Sequence, residues 1–148
     1  MTQRLHPQQL SPAGYGALVA VEKYIAESGL EPKLVHLVKM RASQINGCAY
    51  CLDMHSHDAR KVGETEQRLY VLDAWRESEL YSPRERAALE WTESLTRVAE
   101  THAPDEDFAA LRPHFSDREI IDLSILIGMI NLWNRLSIGN RTAFPVRK

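Results

Sequence analysis

The segment Asn46-Gly47-Cys48-Ala49-Tyr50-Cys51-Leu52-Asp53-Met54-His55 stops one helix and starts another. Asn-Gly is a turn dipeptide that ends a helical run. From about Cys48 nothing breaks the chain until Gly63, so a new helix is predicted there. On a helix, residues three and four apart share a face. Cys48, Cys51 and His55 have that spacing, so the three side chains line one stripe.

Outward from this segment the punctuation stays helical. Ser11-Pro12 opens a run that reaches Gly29, with Pro suited to the first position and Gly to the end. A second helix starts near Pro32 and carries Leu34, Val35, Leu37, Val38, Met40 and Ile45 up to the Asn46-Gly47 stop. Beyond Gly63, Thr65 can cap a helix through Leu69, Leu72 and Trp75. Ser82-Pro83-Arg84-Glu85 reads as a capping box, and so does Ser116-Asp117-Arg118-Glu119. The first opens a helix through Leu95, and the second opens a long one that runs to Gly139. A short helix from Asp105 to Leu111 stops before Pro113. The last helix carries Ile120, Ile121, Leu123, Ile125, Leu126, Ile127, Met129, Ile130 and Leu132, and is apolar nearly all round. It must be buried on more than one side, as the central helix or against another subunit. There is no repeat, linker or strong strand signal. The expectation is an all-α, single-domain multi-helix bundle over residues 1–148, with the CxxC at the N-terminus of a helix.

Lys and Arg number 18 and Asp and Glu 20, for a net charge of −2. That balance gives no electrostatic reason for a nucleic-acid or anionic-membrane partner. Residues 1–10, MTQRLHPQQL, lack the apolar stretch of a signal peptide. The longest apolar stretch, Leu123 to Trp133, is interrupted by Ser124, Gly128 and Asn131, so no membrane span is expected. A soluble, cytoplasmic protein follows. Thiols are kept reduced there, so a Cys pair is more in keeping with catalysis or metal binding than with a staple.

Cys48 and Cys51 are the chain's two cysteines. At the start of a helix, unpaired N–H groups and the dipole stabilise a thiolate. A CxxC thiol can ionise well below the ordinary range of about 8.5. His55 can take a thiol proton, or stand beside a thiolate as imidazolium. A thiolate attacks a peroxide O–O bond to give a sulfenic acid, and a neighbouring thiol converts this to a disulfide. Cys48, Cys51, His55 and His57 could be written as zinc ligands, but His57 projects to nearly the opposite side of the helix from His55. The dipole favours Cys48 as the thiolate, whereas His55 favours Cys51.

The CxxCxxxH of Cys48, Cys51 and His55 follows the run Val38-Lys39-Met40-Arg41-Ala42-Ser43-Gln44-Ile45. With Asp58-Ala59-Arg60-Lys61, Glu85-Arg86-Ala87-Ala88-Leu89 and Asn131-Leu132-Trp133-Asn134-Arg135-Leu136, it resembles the alkylhydroperoxidase D / carboxymuconolactone decarboxylase family, in its peroxidase-related branch. The resemblance implies an all-helical homo-oligomer, often a trimer or hexamer, and thiol peroxidase activity with no metal or haem cofactor. Carried over by position, Cys51 is the peroxidatic cysteine, Cys48 its disulfide partner and His55 the proton-relay histidine. The sequence departs from the family at two places. His36 stands where a relay Glu is common, twelve residues before the first Cys, and Tyr50 stands where alkylhydroperoxidase D has a His between the cysteines. His36 can relay a proton but supplies no fixed negative charge.

The function expected is reduction of hydrogen peroxide or organic hydroperoxides through a CxxC dithiol/disulfide cycle, recharged by a dithiol protein or a small thiol. A thiol–disulfide oxidoreductase or redox sensor is the alternative, and a cofactor-free lactone decarboxylase the more distant one. Trp75, Trp91 and Trp133 are expected as packing residues, and Arg135 as the partner of a carboxylate or of an oligomer neighbour.

Overall fold

The structure, a computed structural model, describes residues 2–146. Its helices are α1 (Pro7–Leu10), α2 (Pro12–Glu27), α3 (Pro32–Asn46), α4 (Ala49–Lys61), α5 (Glu66–Tyr70), a 3-10 helix (Leu72–Glu77), α6 (Pro83–Thr96), α7 (Val98–Thr101), α8 (Asp105–Leu111) and α9 (Asp117–Asn140). There is no strand among the described residues.

Local chemistry sets most of these boundaries. Both capping boxes form: the Ser82 and Ser116 hydroxyls accept from the N–H groups of Glu85 and Glu119, whose carboxylates reach back to the cap N–H. Pro32 occupies the first turn of α3. At its end Gly47 takes φ +69°, the left-handed conformation that glycine adopts without strain. The Cys48 N–H then bonds the Ser43 carbonyl at 3.0 Å and the Gly47 N–H bonds that of Gln44 at 3.2 Å. This pair of bonds is a Schellman motif, and it delivers the chain directly into α4.

α9 is the helix around which α2, α3, α4 and α6 are arranged. Its Leu123, Leu126, Ile127 and Ile130 are fully buried, each worth about 1.5–3 kcal/mol of transfer free energy. A larger core joins Ile25, Leu34, Val38, Ala88 and Trp91 to α9, and a second gathers Leu37, Leu72, Trp75, Tyr81 and Leu89. Ala42, Cys48, Cys51 and Ile130 form a third, smaller cluster. α9 is long and apolar enough to cross a bilayer by length and composition, with a mean hydropathy of 1.2 over an 18-residue stretch, which the interrupted apolar stretch did not lead us to expect. It lies in the protein core, with Asp122, Asn131 and Asn134 buried against other helices. Ile121, Ile125 and Leu132 remain exposed along one side.

The run through Leu69, Leu72 and Trp75 is not one helix. It breaks into α5 and the 3-10 helix, and Ala74 leaves helical geometry. Tertiary bonds take precedence over helix propagation here. The Trp75 indole donates to Glu93, Arg76 pairs with Glu90 and Glu93, and Arg86 donates to the Trp75 and Ser78 carbonyls.

Candidate active site

Cys48 caps α4, and its sulfur accepts the Cys51 N–H at 3.3 Å. The two cysteines are joined as a disulfide, with Cα atoms 5.4 Å apart. Both are 1% exposed and rest on Ala42 and Ile130. One turn beyond Cys51, His55 is also buried, while His57 is exposed on the other side of the helix. The stripe expected from the spacing therefore exists, with Cys48 as its cap.

α3 ends where α4 begins, and a buried amide network fixes this corner. Asn46 Nδ2 donates to Asn131 Oδ1 and Asn134 Oδ1, both at 2.9 Å, and Asn134 Nδ2 donates to Ser43 Oγ at 3.0 Å. The turn that presents the cysteines is thus tied to the central helix. Removing a buried partner leaves amides unpaired, at about 1–3 kcal/mol each. Arg135 joins the same network through the Asn131 carbonyl and side-chain oxygens, rather than a carboxylate.

Two cavities reach the cysteine pair, one lined by each cysteine. The first, about 240 Å³, includes Cys51 and His55 in its wall, together with Glu22, Lys39, Met54 and Trp133. The second, about 410 Å³, is bounded by Cys48, Ile138, Arg141 and Phe144. Tyr50 lines both.

His36 and His55 come together, with ring centroids 5.9 Å apart. Burial, the nearby Lys39 charge and His36 push the His55 imidazole down to about 3, against a weaker opposing pull from Asp58. Burial and Lys39 also lower His36. The Nδ1 atoms of both rings are buried without a hydrogen-bond partner. In this oxidised site, with no thiolate beside it, His55 is a neutral ring. A neutral ring keeps one acceptor and one donor nitrogen for proton transfer.

Four further residues were not singled out as site residues by the sequence reading. Lys39 Nζ bonds Glu22 Oε2 at 2.6 Å, and the Trp133 indole donates to Glu22 Oε1 at 2.9 Å. Tyr15 meets the Trp133 ring edge-on at 5.2 Å. Trp133 is thus a wall of the site rather than a packing residue alone, whereas Trp75 and Trp91 are buried in the core. A signal for Lys39 did exist: a lone cation inside the apolar run Leu34 to Met40. Glu22 has no such local signal. Among the described residues no group of three or more His, Cys, Asp and Glu side chains could hold a metal ion.

Residues 12–94, more than half of the chain, match the carboxymuconolactone decarboxylase family. The chain belongs to that family. It is similar to a solved protein of Agrobacterium tumefaciens described as a candidate antioxidant defence protein AhpD, with 46% identity, a TM-score of 0.96, and coverage of 99% of this chain and 100% of that one. A peroxidase-related protein from Silicibacter is similar at 27% identity and a TM-score of 0.77, over 86% of this chain and 68% of that one. The debrominase Bmp8, at 21% identity and a TM-score of 0.81 over 93% of this chain and 74% of that one, shares the fold. The all-helical AhpD-like architecture expected from the resemblance is the one observed.

Proposed function

We propose that this member of the carboxymuconolactone decarboxylase family is a thiol peroxidase working through Cys48 and Cys51. The observation that carries this reading is the bonded cysteine pair whose second member shares a cavity wall with a neutral, buried histidine. In the reduced protein the Cys51 thiolate attacks one oxygen of ROOH. An S–O bond forms and the O–O bond breaks. The departing RO⁻ takes the proton that Cys51 gave up on ionising, passed on by His55, and leaves as ROH. The Cys48 thiol then attacks the Cys51 sulfenic acid. The S–S bond forms, and hydroxide leaves as water with the Cys48 proton. The two thiols supply both electrons.

Cys51 faces the smaller cavity and Cys48 the larger one. Oxidant and reductant therefore have separate approaches. A dithiol protein or small thiol restores the pair by exchange at Cys48, with Cys51 as the leaving thiolate. The exposed Ile121, Ile125 and Leu132 on α9 suit a homo-oligomer, a trimer or hexamer. The cycle requires a reducing compartment such as the cytoplasm.

Stopped-flow mixing of reduced protein with hydrogen peroxide and an alkyl hydroperoxide, followed by intact mass, tests the reading. Rapid loss of both thiols, with the mass decrease of two hydrogens, is expected. Loss no faster than a free-thiol control would overturn it. The thiol–disulfide oxidoreductase or sensor reading would then stand, which His36 in place of the relay carboxylate already favours.

A further inference from the structure

Burial, the helix dipole and the Cys51 N–H bond all act on the dithiol, but they do not select Cys51. The cap position and that hydrogen bond favour negative charge on Cys48. Something else must favour the thiolate on Cys51 if Cys51 is the attacking sulfur.

The cavity on the Cys51 side contains an ion pair. Lys39 is buried on α3, with its side chain 8% exposed, and its ammonium lies 2.6 Å from Glu22 Oε2 on α2. Glu22 is held from its other oxygen by the Trp133 indole of α9. Three helices thus converge to place one cation and one anion in the same wall as Cys51. The pair is not electrically symmetric here. Lys39 acts on both histidines, whereas Glu22 registers only at His36, and there more weakly than Lys39. Among the described residues no other cation lines the Cys51 cavity, and Arg141 lines the one at Cys48. Around Cys51 there is from α2 the Tyr15 phenol, from α3 the neutral His36, and from α4 Tyr50, neutral His55 and Asp58, the last bonded to Lys61 at 2.9 Å. α9 contributes Trp133 and Ser137, which carry no charge.

We propose that the Glu22–Lys39 ion pair is the electrostatic positioning element of the site: the Lys39 ammonium stabilises the thiolate at Cys51, and Glu22 holds and tempers that ammonium. This rests on the reading that Cys51 is the attacking sulfur. It assigns the choice between the two sulfurs to a cation placed by tertiary structure rather than to the helix that carries them. Glu22 has a double effect. It keeps a buried ammonium paired, which a lone buried charge would require, and it lowers the positive potential that Cys51 feels.

The test is ionisation of the single thiol in the Cys48→Ser protein, read as the pH profile of iodoacetamide alkylation and of thiolate absorbance. No peroxide is needed. Lys39→Met should reduce the thiolate fraction at neutral pH about tenfold, one pH unit in the profile. Lys39→Arg should restore most of it. Glu22→Gln should move the profile the opposite way. The double variant Lys39→Met/Glu22→Gln leaves neither charge alone and should fall between wild type and Lys39→Met. In the Cys51→Ser protein, Lys39→Met should leave the Cys48 profile in place. A purely structural ion pair would give the same direction for both single variants, or equal shifts at both sulfurs, and either result overturns the proposal. So does an unshifted Lys39→Met profile. Failure here leaves rapid peroxide reduction by the wild type untouched. Failure of peroxide reduction leaves the titration order intact.

Discussion

α3 buries two cations two residues apart, Lys39 and Arg41, at 7% and 6% exposure. They face different regions and have different surroundings. Arg41 has three acceptors: Nε bonds Glu93 at 2.7 Å, and Nη1 bonds Asp73 and Gln44. Glu93 is likewise crowded, accepting from Trp75 at 2.8 Å and from Arg76 at 2.7 Å. Lys39 has one carboxylate partner and shares the wall of a cavity with a disulfide sulfur and a histidine. Unpartnered Nδ1 atoms lie on the two histidines that its charge acts on. A buried charge held by several acceptors secures packing. One that opens onto a cavity beside reactive atoms retains field to act on them. Two faces of one helix therefore separate stability from chemistry, and that separation can be tested.

The largest effect is expected on the chemical side. Cys51→Ser should abolish peroxide reduction, to the rate of a thiol-free control in stopped flow. Cys48→Ser should retain the first oxidation and stop at sulfenic acid, seen by intact mass as one added oxygen. Neither should unfold the reduced protein, because each exchanges a small side chain for one of similar size.

On the structural side the order reverses. Glu93→Leu leaves the Arg41 guanidinium short of an acceptor and the Trp75 N–H unpaired in the interior. The expected cost is about 3–5 kcal/mol, measured by urea unfolding, because removing one partner of a buried pair strands the other. For a chain of this size that lowers Tm by roughly 2–4 °C per kcal/mol. The rate of Cys51 oxidation per folded molecule should be unchanged. A rate loss as large as that of Lys39→Met would break the comparison.

The pH dependence of stability sharpens it from the other direction. His55 is held down to about 3 in the oxidised protein, against an ordinary value of 6.5. Between these values the unfolded chain binds a proton that the folded chain does not. Stability is therefore full above about pH 6.5 and declines as pH falls toward 3, by up to about 1.4 kcal/mol per pH unit for this group. Its direction is that of a buried neutral histidine, opposite to a histidine that gains an acidic partner on folding. Chemical denaturation of the disulfide form of His55→Asn should show a flatter acid limb than wild type. An unchanged limb would mean that the ring is not held neutral.

Much of this architecture could be read from the chain because it is local. The Asn46-Gly47 stop, both capping boxes and the stripe of Cys51 and His55 depend on neighbours within four residues. The family resemblance then added expected roles by position, but not the His36–His55 contact, which depends on how α3 packs against α4. What could not be read is non-local. Glu22 and Lys39 lie 17 residues apart on different helices, and their meeting depends on how α2 packs against α3 and α9. The same reason accounts for the 3-10 helix. Its local pattern favours an α-helix, but bonds from Trp75, Arg76 and Arg86 to distant residues determine its shape. The two short helices α1 and α7 carry too few residues for periodicity to register.

The smallest expected effect is also the strictest control on the comparison. Lys23 is the residue after Glu22 on α2, and its side chain is 76% exposed, 4.0 Å from Glu27. Lys23→Met makes the same chemical change as Lys39→Met and alters net charge by the same amount. It differs only in place. An exposed charge is surrounded by water and screened over about 8–10 Å at physiological salt, and exposed pairs contribute little to stability. Lys23→Met should therefore leave both the unfolding midpoint and the alkylation profile of Cys51 within error of wild type. A Lys23→Met shift matching that of Lys39→Met would show that Cys51 responds to the overall charge of the molecule rather than to a cation positioned beside it. The distinction between Lys39 and Arg41 would then lose its chemical half, because nothing in the placement of Lys39 would matter beyond its sign.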